Sequence, residues 1–167
     1  MDINVDIPEY ASLIYATDEE KVRQASRDTD ALVEAAASNS MEGVCSSLSL
    51  GVDINGLDSA GQTALFAAAA EGHVPLARFL LSENALINAS ERNGQTPLHA
   101  ACMNARVPMV RFLIGAGADL NAIDGQGCTP LHKCVGSSPH AQDMINLLAS
   151  GGANLRCRDK NSWDLLM

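Results

Sequence analysis

The residues best suited to chemistry in this chain are Cys128, His132 and Cys134, which fall within one seven-residue stretch. Thiolate and imidazole groups bind zinc, but common zinc modules use paired ligands at spacings that Cys128-x3-His132-x-Cys134 does not follow. A helix predicted here places His132 and Cys134, two residues apart, on different sides. We therefore expect no metal or other cofactor, and a thiol- or metal-dependent site remains only as an alternative.

A catalytic Cys–His pair is the second chemical possibility. No cysteine stands in a recognisable nucleophile context, and Cys102 and Cys134 fall at small buried positions, where thiols behave as hydrophobes. We expect Cys128 to be the most exposed thiol. The glycines at 125 and 127 open a predicted helix without the basic residue of a phosphate-binding loop. The sequence therefore predicts no enzyme, and no catalytic or cofactor-binding residue.

An internal period organises the rest of the chain. The tetrapeptide Thr-Pro-Leu-His stands at 96–99 and again 33 residues later at 129–132, and Thr-Ala-Leu-Phe precedes both at 63–66. A fixed interval of this size indicates one supersecondary unit copied along the chain. In each copy a Thr can cap the first helix, and Gly or Asn can end the second helix in the left-handed conformation.

The period predicts an all-α chain of stacked helix pairs. Its expected divisions are an N-terminal extension (1–23) with a capping helix over 8–25, a degenerate repeat (24–56), three clear repeats (57–89, 90–122, 123–157) and a truncated unit (158–167). In the degenerate repeat, Asp30 takes the place of the capping Thr. The last unit stops one helical turn in, so either a short cap suffices or the chain is cut from a longer protein.

Composition narrows the choice of partners. A formal net charge of −9 argues against nucleic acid, which requires a concentrated basic surface, and against anionic membranes. No apolar run approaches the roughly 18–20 residues that span a bilayer. The odd number of cysteines suggests no disulfide framework, which favours the reducing cytoplasm or nucleus. We expect a monomer.

These motifs resemble those of the ankyrin repeat family. The resemblance rests on the two Thr-Pro-Leu-His motifs, on Gly72-His73 and on Gly-Ala-Asp-Leu-Asn-Ala at 117–122, and it covers about 24–164. It implies a solenoid of helix-turn-helix pairs with β-hairpin-like loops projecting to one side. It also implies that the motif histidine, His132, ties neighbouring backbone together, and that a partner protein binds across the hairpin tips and inner helices.

We therefore predict a non-enzymatic protein-interaction module, acting as an adaptor, scaffold or inhibitor; a purely structural spacer is the alternative. Arg92, Met103 and Trp163 are the expected anchors, because such residue types dominate interface energetics. Met103 could equally be an ordinary surface residue, and Trp163 could pack as a makeshift cap. The full expected binding set is Leu57, Ser59, Ala60, Gln62, Ala70, Glu71, Ser90, Arg92, Asn93, Gln95, Met103, Asn104, Ile123, Gly125, Gln126, Cys128, Gly136 and Trp163.

The resemblance also suggests a modification, because ankyrin domains are substrates of the asparaginyl hydroxylase that acts on hypoxia-inducible factor. The favoured Asn closes the hairpin, lies two residues after an acid and eight after a Leu. Asn121 meets these conditions with Asp119 and Leu113. The alternative is that Asn121 only supports the turn through side-chain hydrogen bonds.

Overall fold

The structure, a computed structural model, describes the backbone of residues 18–134 and 140–155, and side chains at 24 and from 27 onward within those ranges. Within them the chain forms helices and turns and no β-strand. The all-α solenoid predicted from the repeats is confirmed. The helices are α1 Asp18–Ala37, α2 Met41–Ser49, α3 Ala64–Glu71, α4 Val74–Ser82, α5 Pro97–Met103, α6 Val107–Gly115, α7 Pro130–Cys134 and α8 Ala141–Ser150.

The helices pack in two layers. In the inner layer α1 packs on α3, α3 on α5 and α5 on α7, while in the outer layer α4 packs on α6 and α6 on α8. The two helices of each pair also contact one another. Each pair therefore buries its apolar face against its neighbours along the stack, as repeat architectures require.

Small residues in the inner layer and larger ones in the outer layer make up the core. In α3 every residue from Ala64 to Ala69 is buried, and four of these six are alanines, which lets α1 and α5 approach closely. In the outer layer Leu80 and Leu113 are fully buried. Burying a leucine side chain contributes about 1.5–3 kcal/mol, so the outer helices hold much of the hydrophobic stabilisation.

The helix ends follow the expected chemistry. The Thr63 hydroxyl accepts a hydrogen bond from the Phe66 N–H at 3.2 Å and caps α3. Gly72 ends α3 at φ +83°, and Gly117 and Asn84 adopt φ +87° and +69° after the outer helices. The predicted left-handed positions are confirmed at Gly117 and Asn84, since both fall in the region that glycine and asparagine tolerate best.

The prediction that Asp30 caps a helix is wrong. α1 runs without a break from Asp18 to Ala37, so Asp30 lies inside it, and the expected boundary between 23 and 24 also falls within this helix. The physical reason is that positions 18–37 contain neither Gly nor Pro to interrupt the helix. The Asp30 carboxylate instead accepts a hydrogen bond from the Ser59 N–H at 2.6 Å, and so holds the next loop in place.

Several expectations fall outside the described residues. They are the start of the capping helix near Pro8, the loop at 136–139 and the truncated unit after 157. The division of the chain into repeats stays a prediction.

Candidate functional site

Three hairpin tips connect the helix pairs, and each begins with an acidic residue whose carboxylate organises the turn. The Gln62 N–H donates to Asp58 Oδ1 at 2.7 Å, and the Cys128 N–H donates to Asp124 Oδ1 at 2.9 Å. Glu91 plays the same part in the middle tip, and Glu91 and Asp124 are buried. Buried carboxylates are stable only when hydrogen-bonded or paired, so these acids are structural.

No prediction from the sequence singled out these three acids. The signal that could have identified the acids was their spacing, since Asp58, Glu91 and Asp124 stand 33 residues apart. Gly61, Gly94 and Gly127 follow each acid at the same interval and adopt φ of +82°, +80° and +82°.

Backbone hydrogen bonds join the tips into a row. The Arg92 N–H donates to the Gly61 carbonyl at 3.1 Å, and the Gly125 N–H donates to the Asn93 carbonyl at 2.7 Å. Side chains on successive tips therefore keep fixed separations, which a binding surface of extended shape requires.

A second row of bonds runs through the asparagines that close the hairpins. The Asn55 side chain accepts from the Leu86 N–H at 2.8 Å, and the Asn121 side chain accepts from the Asn154 N–H at 2.8 Å. Asn121 therefore reaches the following loop, while Asp119 supports Asn121's own turn by accepting from its N–H at 2.9 Å. The Asn121 side chain, expected to support its own turn, therefore also links that turn to the loop of the next unit.

The motif histidines bond to backbone, as expected. The Thr96 N–H donates to His99 Nδ1 at 3.1 Å, and His99 Nε2 lies 3.0 Å from the carbonyl oxygen of Cys128. Because Nδ1 accepts, we assign the proton to Nε2, which donates to that carbonyl. Burial lowers the pKa of His99, and the bond to the Cys128 carbonyl opposes this only in part. His132 accepts from the Thr129 N–H in the same way, at 3.1 Å.

The thiols are arranged differently from one expectation. Cys102 and Cys134 are buried as predicted, but Cys45 is more exposed than Cys128, which is half-buried. Cys128 is held by its backbone between Asp124 and His99, whereas α2 turns Val44 and Ser47 inward and leaves Cys45 outside. A hydrogen bond with Cys134, together with burial, raises the pKa of Cys102 and keeps its thiol protonated. In the described ranges no three His, Cys, Asp or Glu residues are grouped to hold a metal ion.

The residues expected to bind a partner are accessible wherever the structure describes them. Most are exposed, and Gln62, Ala70, Gln95 and Cys128 are half-buried; Gly136 and Trp163 lie outside the described residues. The exposed fractions of three apolar side chains are large: 50% for Leu57, 53% for Met103 and 69% for Ile123. Leu57 and Ile123 lie in tips and Met103 ends the inner helix α5; the three, here called the apolar tip residues, make the expected binding set capable of hydrophobic contact.

Glu71, a member of the expected binding set, is already engaged within the chain. Arg106 makes an ion pair with Glu71 at 3.1 Å and donates from Nε to the Ala70 carbonyl at 2.9 Å. Both side chains of the pair are about half exposed, so the pair is worth little to stability. It does lower the availability of Glu71 to a partner.

A groove separates the second and third tips. Its volume is about 640 Å³, and Arg92, Asn93 and Gln95 line one side, with Asp124 and Gln126 on the other. The groove is polar and open, and sequence reasoning did not find it, because two loops that lie far apart along the chain form it together.

Comparison with known proteins assigns the chain to a family. A family model described as ankyrin repeats (3 copies) matches residues 12–91, 32–124 and 87–161. Such repeats are generally protein–protein interaction modules and typically non-enzymatic. A search of curated proteins finds no match to the chain. In the described part of the chain, no helix combines the length and apolar character needed to cross a bilayer.

Proposed function

Because the chain belongs to the ankyrin repeat family, we propose that it is a non-enzymatic adaptor, scaffold or inhibitor. It binds a partner protein through its hairpin tips and the exposed ends of its inner helices. The observation that carries this proposal is the row of tips, in which buried acids and tip-to-tip backbone bonds satisfy the polar groups internally. The outward side chains are thereby free for a partner.

The apolar tip residues support the same proposal. Large apolar side chains held apart on a rigid frame give hydrophobic contact at little entropic cost, because the frame does not reorganise on binding. A structural spacer has no need of such residues at its tips.

The test is affinity capture from cell extract followed by mass spectrometry. A triple variant, Leu57→Ser, Met103→Ser and Ile123→Ser, removes the apolar tip residues. A matched control, Met41→Ser with Leu50→Ser, removes exposed apolar side chains from the first residue of α2 and from the residue that caps its C-terminal end. We expect the triple variant to lose a protein that the wild type and the control retain. Equal capture of the same protein by all three folded proteins would reject binding through the tips, and capture of no protein by any of them would favour the spacer.

We also propose that the protein acts as a monomer in the cytoplasm or nucleus and binds no nucleic acid. The supporting observations are its odd number of cysteines and its net charge of −9. Imaging of a fluorescent fusion tests the compartment, and light scattering after size exclusion tests the monomeric state. Retention on immobilised DNA and RNA tests the absence of nucleic-acid binding. Concentration in another compartment, a dimer mass or salt-sensitive retention would each reject the corresponding point.

Asn121 remains the proposed site of hydroxylation. Its side chain is exposed, and its oxygen accepts a bond that an added hydroxyl on the Cβ carbon leaves intact. Mass spectrometry of peptides from cells that carry the hydroxylase tests this, and an unmodified Asn121 there would reject it.

A further inference from the structure

The groove between the second and third tips is lined by Arg92, whose charge has no ion-pair partner among the described residues. The Arg92 side chain is exposed, and in the part of the chain that is described no ion pair is formed by its guanidinium. Its backbone is fixed by the bond to Gly61, and the Cβ of Arg92 lies so close that a Cβ added to Gly61 would meet it at 2.8 Å. The Nε atom of Arg92 also lies beside Gly61, where the added Cβ would meet it at 3.1 Å, so the guanidinium lies between the first tip and the groove that Arg92 lines.

The acids beside this groove are already bonded. Asp124 Oδ2 pairs with Lys133 at 2.8 Å, while its other oxygen accepts from the backbone N–H of Gln126 and Cys128. Glu91 Oε1 accepts from the backbone of Asn93 and Gln95. Neither acid is free to pair with Arg92, so an external anion can do so.

The groove also offers neutral donors. Gln126 accepts from Lys133 through Oε1 at 3.2 Å, an arrangement that leaves its NH2 group for another acceptor. Gln95 lines the opposite wall, half-buried. The exposed side chain of Ile123 stands at the start of the same tip as Gln126.

We propose that this groove binds a carboxylate side chain in an extended segment of the partner protein, with an apolar residue of that segment against Ile123. The inference rests on the proposed function and names the chemistry of the partner. The planar guanidinium matches a carboxylate through two parallel hydrogen bonds, and the amides of Gln95 and Gln126 add donors. A carboxylate carries the single negative charge that the Arg92 guanidinium can balance, whereas a phosphate dianion would leave a second negative charge beside Asp124, which lines the groove.

The experiment uses the full chain and a library of random twelve-residue peptides. We expect wild-type protein to select peptides enriched in Asp or Glu with an apolar neighbour. For a selected peptide, Arg92→Gln and replacement of the acid by its amide each weaken binding about tenfold, and both together weaken it no further. Arg92→Lys recovers part of the loss. Arg111→Gln, which removes an exposed arginine from α6, leaves affinity unchanged.

Several results would overturn the proposal: no selected peptide, no enrichment in acid, the same loss with Arg111→Gln, or tighter binding of a phosphoserine peptide. Circular dichroism and the thermal midpoint establish that each variant is folded. Failure of the groove is distinguishable from failure of the proposed function. If the apolar triple variant loses its cellular partner while Arg92→Gln keeps full affinity for that partner, only the groove is rejected.

Discussion

Replacing His99 by alanine tests the strongest link between two units of the stack. The ring is fully buried, accepts from the Thr96 N–H and donates to the Cys128 carbonyl. A buried Thr96 N–H left without an acceptor costs about 1–3 kcal/mol. The Cys128 carbonyl belongs to a half-buried residue and can bond to water instead, so losing its hydrogen bond from His99 costs about 0.5–1.5 kcal/mol. The vacated space adds about 1 kcal/mol, so we expect the free energy of unfolding to fall by about 3–5 kcal/mol.

The matched control is His132→Ala. His132 also accepts from a threonine N–H, but it is only half-buried, and water can replace it. We expect a loss of about 1 kcal/mol there. Urea unfolding followed by far-ultraviolet circular dichroism measures both variants, with constant m-values as the condition for comparing them. A loss below about 1 kcal/mol for His99→Ala, or one no larger than the control's, would refute the reasoning that burial makes this link strong.

Three further predictions follow from the described contacts. As pH falls below the ordinary histidine value of 6.5, stability decreases, because a lowered pKa keeps folded His99 neutral while the unfolded chain takes up the proton. For Asp124 burial raises the pKa, but the bonds from Lys133 and the backbone prevail and lower it overall, so a second loss begins below its ordinary value of 3.8. Urea midpoints against pH check both steps, and a first step that survives in His99→Ala contradicts the assignment. Thr63→Ala removes the hydroxyl that caps α3 and lowers the free energy of unfolding by about 1 kcal/mol, whereas Thr63→Ser keeps that hydroxyl and the stability. Equal thermal midpoints for the two variants would contradict the role of Thr63 as a cap. Gly72→Ala lowers the free energy of unfolding by about 1–2 kcal/mol because the φ of Gly72 is +83°. Gly115→Ala is neutral or stabilising, because Gly115 lies in a helical turn with open space around it. Urea unfolding measures both variants, and similar losses of stability would reject the argument.

Local signals made the middle of the fold predictable. Thr63, Thr96 and Thr129 each stand immediately before an inner helix, and the 33-residue interval fixes where the next one begins. The same interval placed the left-handed Gly117 after α6. These features depend on a few adjacent residues, so the sequence alone is sufficient for them.

The role of Asp30 and the groove depended on distant contacts instead. Asp30 has the residue type of a helix cap, but its bond partner, Ser59, lies 29 residues further on. The groove forms only where the tips around Arg92 and Gln126 lie side by side, and neither segment by itself predicts that contact. The sequence predicted that Arg92 and Gln126 are accessible, yet only the structure shows that Asp124 pairs with Lys133 and that Arg92 forms no ion pair with a described residue.

The internal bonding of the tips explains how this fold can carry specificity. Leu57, Ser90 and Ile123 occupy the same position in successive tips, yet they differ in size and polarity. Each can differ because the neighbouring acid and the tip-to-tip bonds, not these side chains, hold the loop. A substitution at such a position changes the surface with little effect on folding, whereas a substitution of Glu91 or Asp124 leaves two part-buried backbone N–H groups without their acceptor. The positions that differ between tips are therefore those where the surface can change while the loop keeps its shape.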